Sequence, residues 1–119
     1  MSAALAARRG NGRPTALVAS EDVTACRLVR ALRGQGLRVP EDVSVAGFDG
    51  RIVEGEEDIR LTTWQVPWYE LGRTAMRVLV DSIERESDAT QTLIGGKLLV
   101  RETTCAPREE ASKEIVASG

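Results

Sequence analysis

Three acidic side chains stand where the hydrophobic pattern predicts that a β-strand ends. Glu21 and Asp22 follow the apolar run 15–20, and Asp49 follows the apolar run 43–48. A segment with helical periodicity separates the two runs, which predicts a βαβ unit whose parallel strands end at the same edge of a sheet. Ligands of open α/β sheets bind at that edge. Carboxylates there accept hydrogen bonds from hydroxyl-rich ligands such as sugars, and their oxygens also suit Mg²⁺.

Each of these residues also has a purely structural interpretation. Asp22 is well suited to cap the helix that follows it, and Glu21 to interact with the helix dipole. Asp49 begins an Asp-Gly turn, a position that favours aspartate for its own sake. Trp64 and Trp68 have rings able to stack on a ligand, although core or interface packing is the commoner role of tryptophan. The pattern alone leaves both interpretations open.

The composition narrows the possible functions of the 119 residues. There is no histidine, which removes the commonest general base, the Ser-His-Asp type of triad and His-ligated metal sites. We therefore expect no enzyme, no catalytic residue, and no metal or cofactor. The formal net charge of −2 offers no electrostatic footprint for a nucleic acid. Cys26 and Cys105 are far apart and belong to no zinc-binding pattern.

The same composition bears on location. No apolar run approaches the roughly 18 residues that a membrane span needs, so we expect no membrane contact. Residues 1–12 lack the apolar core of a secretion signal, and their charges follow the apolar part instead of preceding it. The sequence therefore predicts a cytoplasmic protein with two reduced thiols.

The remaining pattern predicts an α/β fold. Apolar residues at helical spacing predict a helix over 23–33, and a second, longer helix over 69–86. A third extended segment is expected over 61–66, and one or two late strands over 93–94 and 98–104. The buried stripe of the longer helix is predicted to consist of Leu71, Ala75, Val78, Leu79 and Ile83. The acidic segment 51–60 is predicted to be a solvated loop.

Domain organisation is predicted to be simple. Residues 1–14 read as an N-terminal helix remnant and linker, because glycines interrupt a short apolar run there. Residues 15–107 read as one domain, and 108–119 as a flexible tail.

Three ordered blocks carry a family resemblance. Residues 15–50, TALVASEDVTACRLVRALRGQGLRVPEDVSVAGFDG, resemble the effector-domain signature of the LacI/GalR family of bacterial transcriptional repressors. Residues 61–83, LTTWQVPWYELGRTAMRVLVDSI, resemble that family's Leu-Thr-Thr segment and following helix, and 98–107, LLVRETTCAP, its closing strand. The resemblance implies the C-terminal half of a periplasmic-binding-protein-like type I fold, in which two α/β subdomains enclose an effector.

The resemblance also implies which residues bind the effector. Asp49 matches the family's ligand-binding aspartate, and Asp22 a second contact. Glu21 stands where the family usually has Asn or Ser, a departure that removes a hydrogen-bond donor. Gln65 corresponds to an edge of the cleft, and Trp68 adjoins the position of an aromatic lid residue.

A dimer is implied as well. The helix over 23–33 matches the family's dimer-interface helix, which gives Val23, Cys26 and Arg30 a partner-facing interpretation beside their place in the fold. The implied function is that of a ligand-responsive transcriptional regulator, with a small sugar-like effector and a homodimeric assembly. Operator DNA would be bound only through a helix-turn-helix headpiece that these 119 residues do not include.

Two other interpretations stay open on the sequence alone. A periplasmic sugar-binding protein of a transporter shares the implied fold. A phospho-receiver domain also places acidic residues at strand ends around Mg²⁺, but it needs a lysine at a later strand end. The only lysines here are Lys97 and Lys113.

Overall fold

The structure is a computed structural model, and it describes residues 14–85 and 91–107. Four strands and two helices follow in the order β1 (Ala16–Val18), α1 (Asp22–Gly34), β2 (Ser44–Asp49), β3 (Thr62–Gln65), α2 (Trp68–Arg85) and β4 (Lys97–Leu99). The predicted N-terminal helix remnant, the last residue of the longer helix and the C-terminal tail lie outside the described residues.

The strands form one sheet in the order β1-β2-β3-β4. β1 pairs with β2 and β2 with β3 in parallel, whereas β4 runs antiparallel to β3. The predicted βαβ unit, built from β1, α1 and β2, is therefore confirmed, as is the α/β class with its mainly parallel sheet. Because β1 and β2 are parallel neighbours, the polar residues after each strand lie at one edge of the sheet.

Helix α1 covers one face of this sheet. Its buried side chains recur at helical spacing, so a single stripe meets β2 and the loop before β3. The buried apolar cluster consists of Ala19, Ala25, Cys26, Val29, Leu32, Val39, Val43, Val45, Ile59 and Leu61. The cluster fixes α1 against the sheet and thereby fixes the start of α1 beside the end of β2.

Two burial predictions are wrong. No residue of α2 is buried, and Ile83, in its predicted buried stripe, is 71 % exposed. Strand β1 is also not buried on both faces, since Val18 is 81 % exposed. The apolar pattern encodes surfaces suited to burial, but within residues 14–85 and 91–107 no element covers them.

The segment after β4 holds β2 and β3 together. Thr103 accepts a backbone hydrogen bond from Val45 at 2.8 Å, and its hydroxyl donates to the Val45 carbonyl at 2.7 Å. The same hydroxyl accepts from the Thr62 amide at 2.9 Å. Beyond Leu99, the predicted strand over 98–104 is thus replaced by an irregular segment that is bonded partly through side chains.

Candidate functional site

The site is built on the turn that ends β2. Asp49 has φ 121° and Gly50 has φ 76°, so two consecutive residues adopt left-handed backbone geometry. Aspartate tolerates positive φ better than most residues, and glycine tolerates it freely. A Cβ at Gly50 would also approach Gln65 Cα to 2.6 Å. The backbone of the turn therefore favours aspartate and glycine at these two positions. The closeness of β3 is a second reason for glycine at position 50.

Gln65 and Trp68 lie beside this turn. Gln65 is the register partner of Asp49 across the β2–β3 pair. The Asp49 carbonyl accepts hydrogen bonds from the Val66 amide at 3.1 Å and from Trp68 Nε1–H at 3.2 Å. Three of the residues predicted to bind the effector are thus neighbours, although the Trp68 indole N–H is engaged with the backbone.

Asp22 lies at the same edge of the sheet, but it is buried. Its side chain is buried, and Oδ1 accepts a hydrogen bond from the Thr63 hydroxyl at 2.5 Å. Oδ2 accepts from the Arg51 amide at 2.7 Å. Although Asp22 is the first residue of α1, its carboxylate bonds other elements instead of the helix amides, so the interpretation as a helix cap is wrong.

Glu21 occupies the N-cap position of α1 without capping it. Its carboxylate makes no hydrogen bond to the helix backbone and instead accepts one from the Thr24 hydroxyl at 3.0 Å. The side chain is exposed. Glu21 therefore presents a charge to solvent at the edge where the adjacent Asp22 contacts the turn.

Thr63 is the member of the site that sequence reasoning missed. Its side chain is buried, and its hydroxyl accepts a hydrogen bond from the Gly50 amide at 3.3 Å while donating to Asp22. A hydroxyl residue within an apolar extended segment that follows an acidic strand end was the available signal, because buried polar groups need partners.

Two hollows adjoin these residues. One, of about 390 Å³, is lined by residues from the end of β3, the start of α2 and the start of β4, including Gln65, Trp68 and Lys97. The other, of about 340 Å³, lies between α1 and the loop before β3, and Cys26, Arg51 and Arg101 line it. The first hollow is lined by Gln65 and Trp68, the two neighbours of Asp49, and the second by Arg51, which follows the Asp49–Gly50 turn.

The three residues predicted to lie at a dimer interface occupy different environments. Cys26 is buried in the core, and burial together with the nearby Glu56 and Asp22 carboxylates raises the pKa of its thiol. Val23 is 38 % exposed. Arg30 is exposed and forms ion pairs with the acidic loop.

Arg30 ties that acidic loop to α1. Its Nε–H donates to Glu56 at 2.5 Å and its Nη2–H to Asp58 at 2.6 Å. These bonds and charges raise the pKa of the Arg30 guanidinium. Segment 51–60 contains no helix or strand, as predicted, but it is not simply solvated, because these ion pairs and the buried Ile59 fix it in place.

The described part of the chain shows no group of three or more side chains able to hold a metal ion. In the same residues, neither helix has the length and apolar character that crossing a bilayer requires.

Parallel strands that end in an acidic turn, beside a helix N-terminus and a hollow, are the arrangement of a small-molecule-binding α/β domain. A family model described as periplasmic binding protein-like domain matches residues 1–104. The chain belongs to this family, in the form found in LacI-type transcriptional regulators.

Two curated relatives are repressors. The chain is 35 % identical over 104 residues to the arabinose metabolism transcriptional repressor of Halalkalibacterium halodurans, covering 82 % of this chain and 28 % of that protein. It is 37 % identical over 94 residues to the HTH-type transcriptional repressor CytR of Escherichia coli K12, covering 78 % and 28 %. The chain therefore spans little more than a quarter of the length of these relatives.

Solved structures agree with the relatives. A LacI transcriptional regulator from Bacillus cereus superposes with a TM-score of 0.73 at 35 % identity, over 84 % of this chain and 36 % of that one. The dimeric Lac repressor gives 0.69 at 32 %, over 80 % and 35 %. A LacI family regulator from Arthrobacter sp. FB24, in complex with lactose, gives 0.64 at 32 %, over 76 % and 34 %.

These comparisons confirm the resemblance to the LacI/GalR family. The relatives and structures named above are transcriptional regulators, and none of them is the binding protein of a transporter. Membership of this family likewise replaces the phospho-receiver interpretation.

Proposed function

We propose that the chain is the effector-binding and dimerisation portion of a LacI-type transcriptional regulator, with a sugar or a similar hydroxylated molecule as effector. The observation that carries the proposal is the left-handed turn at Asp49, which has Gln65 as its register partner and Trp68 bonded to its carbonyl. Function in this protein is binding and not catalysis.

The chemistry of the edge suits a ligand rich in hydroxyl groups. Asp49 and Glu21 supply carboxylate oxygens, which accept hydrogen bonds, and Gln65 supplies an amide that both donates and accepts. The half-exposed Trp68 ring offers an apolar face of the kind on which a sugar ring packs. The related Arthrobacter regulator was solved with lactose, and the Halalkalibacterium relative is named for arabinose metabolism.

The connection from the turn to α2 suggests how binding is transmitted. The Asp49 carbonyl is hydrogen-bonded to Val66 and to Trp68, and Trp68 is the first residue of α2. A ligand that binds one position of the turn more tightly than another therefore shifts the equilibrium position of α2. The size of that shift is limited by the differential affinity of the ligand for the two states.

The dimer is assigned to the exposed side of α1. Val23 and Arg30 are exposed on the side of α1 that faces away from the core. Cys26 is buried and contributes through packing. Contact with operator DNA is assigned to a headpiece outside these residues, as expected of a chain with a slightly negative net charge. A cytoplasmic location follows from this role, because operator DNA is in the cytoplasm.

The test is calorimetric titration of the intact gene product with arabinose and with lactose. Asp49→Asn keeps the size of the side chain and its tolerance of positive φ, but removes the charge. We expect the wild type to bind one of the sugars and Asp49→Asn to lose about tenfold or more in affinity. Asp81→Asn, the same change on α2, is the control and should bind as wild type does. Equal affinity of Asp49→Asn and wild type would contradict the proposal, as would no binding of either sugar.

A further inference from the structure

Three backbone polar groups of the turn that carries Asp49 are hydrogen-bonded to neighbouring elements. The Arg51 amide donates to Asp22 Oδ2, and the Gly50 amide donates to Thr63 Oγ1. The Asp49 carbonyl accepts one hydrogen bond from Val66, between β3 and α2, and one from Trp68, the first residue of α2. A non-glycine residue at positive φ persists only when its surroundings hold it there. These bonds are the surroundings that do so.

Thr63 connects the two amide contacts. Its hydroxyl accepts from Gly50 with a lone pair and gives its single proton to Asp22, so one side chain satisfies the turn and orients the carboxylate at once. Both Thr63 and Asp22 are almost completely inaccessible, at 0 % and 1 % exposed. A hydrogen bond made by buried partners is not exchanged for one to water, so the pair fixes geometry more firmly than a surface contact would.

The position of Asp22 explains why a carboxylate is tolerated there. It is the first residue of α1, where the helix dipole favours negative charge, and both of its oxygens accept hydrogen bonds. The same bonds occupy the side chain and direct it into the protein. Asp22 therefore has a structural role, holding the turn, that is an alternative to the expected contact with the effector.

We propose that Asp22 and Thr63 are positioning residues that hold the turn at Asp49 in its left-handed conformation, and that Asp22 acts on the effector only through Asp49. The role in effector binding rests on the function proposed above. The role in holding the turn does not rest on that function, because it follows from contacts within the chain.

The first experiment measures amide hydrogen exchange by NMR in the protein. Thr63→Val removes the hydroxyl and keeps the shape, and we expect exchange at the Gly50 and Arg51 amides to accelerate about tenfold. Thr63→Ser restores the hydroxyl and should restore slow exchange. Thr62→Val is the matched control, because it removes a neighbouring hydroxyl that bonds Thr104 and the Arg101 amide and not the turn.

The outcomes distinguish loss of contacts at the turn from general destabilisation of the fold. Acceleration confined to the turn, with the Val29 amide in the core unchanged, supports the proposal. Exchange that rises by the same factor at the turn and at Val29, or equally in Thr62→Val, would overturn it. So would Thr63→Val amides that exchange as slowly as those of the wild type.

The second experiment titrates arabinose and lactose into the same variants of the intact gene product. Affinity lost in Thr63→Val and regained in Thr63→Ser supports positioning, whereas full affinity in Thr63→Val with lost affinity in Asp49→Asn overturns it and leaves the proposed function standing. If no variant and no wild type binds either sugar, the proposed function fails. The exchange result then still decides whether Asp22 and Thr63 hold the turn.

Discussion

Gly47 lies directly against the carboxylate of Asp22. A Cβ at Gly47 would collide with Asp22 Oδ1 and would approach Leu61 Cδ2 to 2.8 Å and Ala25 Cβ to 3.2 Å. The first turn of α1 thus meets β2 at a point where only a hydrogen atom fits. The buried contact between Asp22 and the turn depends on that close approach.

Replacing Gly47 with alanine is expected to destabilise the fold by about 1–3 kcal/mol, because the methyl group must displace a buried carboxylate whose two oxygens are both hydrogen-bonded. Urea unfolding measures the change. Gly34→Ala is the control: no atom lies within 4 Å of a Cβ built there, so it should be neutral or stabilising by a few tenths of a kcal/mol. Equal stability of Gly47→Ala and wild type would contradict the geometry.

Thr103→Val is expected to lower the free energy of unfolding by about 1–3 kcal/mol, because it leaves the Val45 carbonyl and the Thr62 amide short of a buried partner. Thr92→Val, at an exposed position, should change it by less than about 0.5 kcal/mol. Thermal or urea unfolding of the two variants side by side is the measurement. If Thr92→Val lowered the free energy of unfolding more than Thr103→Val, the Thr103 contacts would not stabilise the sheet.

The exposed apolar face of α2 is expected to govern association more than stability. Leu79→Ser and Ile83→Ser should change the free energy of unfolding by less than about 0.5 kcal/mol, whereas Leu32→Ala in the core should cost about 2–5 kcal/mol. Both serine variants should also lower the mass measured by light scattering at high concentration, since they remove exposed apolar surface. A loss of stability equal to that of Leu32→Ala would mean that this face is buried in solution.

Cys26 and Cys105 are expected to differ in reactivity. Burial and the nearby carboxylates raise the pKa of the Cys26 thiol, so it stays protonated and slow to alkylate, whereas Cys105 is exposed. Mass spectrometry after brief treatment with iodoacetamide should find the label on Cys105 first, and labelling of Cys26 at the same rate would contradict this.

The pKa of the Cys26 thiol is higher in the folded than in the unfolded chain, so the contribution of this thiol to stability is complete below the pKa of the unfolded thiol. It is lost as pH rises through the folded value.

Much of the fold follows from periodicity. The helix predicted over 23–33 is α1 (Asp22–Gly34), and the longer helix and the third strand also appear where the pattern places them. These elements are local, and spacing of apolar residues reports local structure well. Burial of the α2 stripe could not be predicted, since amphipathicity shows which face is apolar and not whether another element covers it.

The candidate site was predicted less completely. Strand ends located Glu21, Asp22 and Asp49, because parallel strands end together. Thr63 was missed, since its role depends on a hydrogen bond to Asp22 between residues 41 positions apart. The interpretation of Asp22 as a helix cap failed for the same reason: a capping position and a buried tertiary contact look alike in one sequence.

The threonine that joins β2 to β3 is synthesised after both strands. Thr103 lies 41 residues beyond Thr62, a stretch that a ribosome takes about 2–8 s to add. During that interval the backbone groups that Thr103 later binds, the Val45 carbonyl and the Thr62 amide, have no such partner. Strands β2 and β3 therefore emerge before this bridge can form, and the nascent chain stays open to mispairing until the segment after β4 has been made.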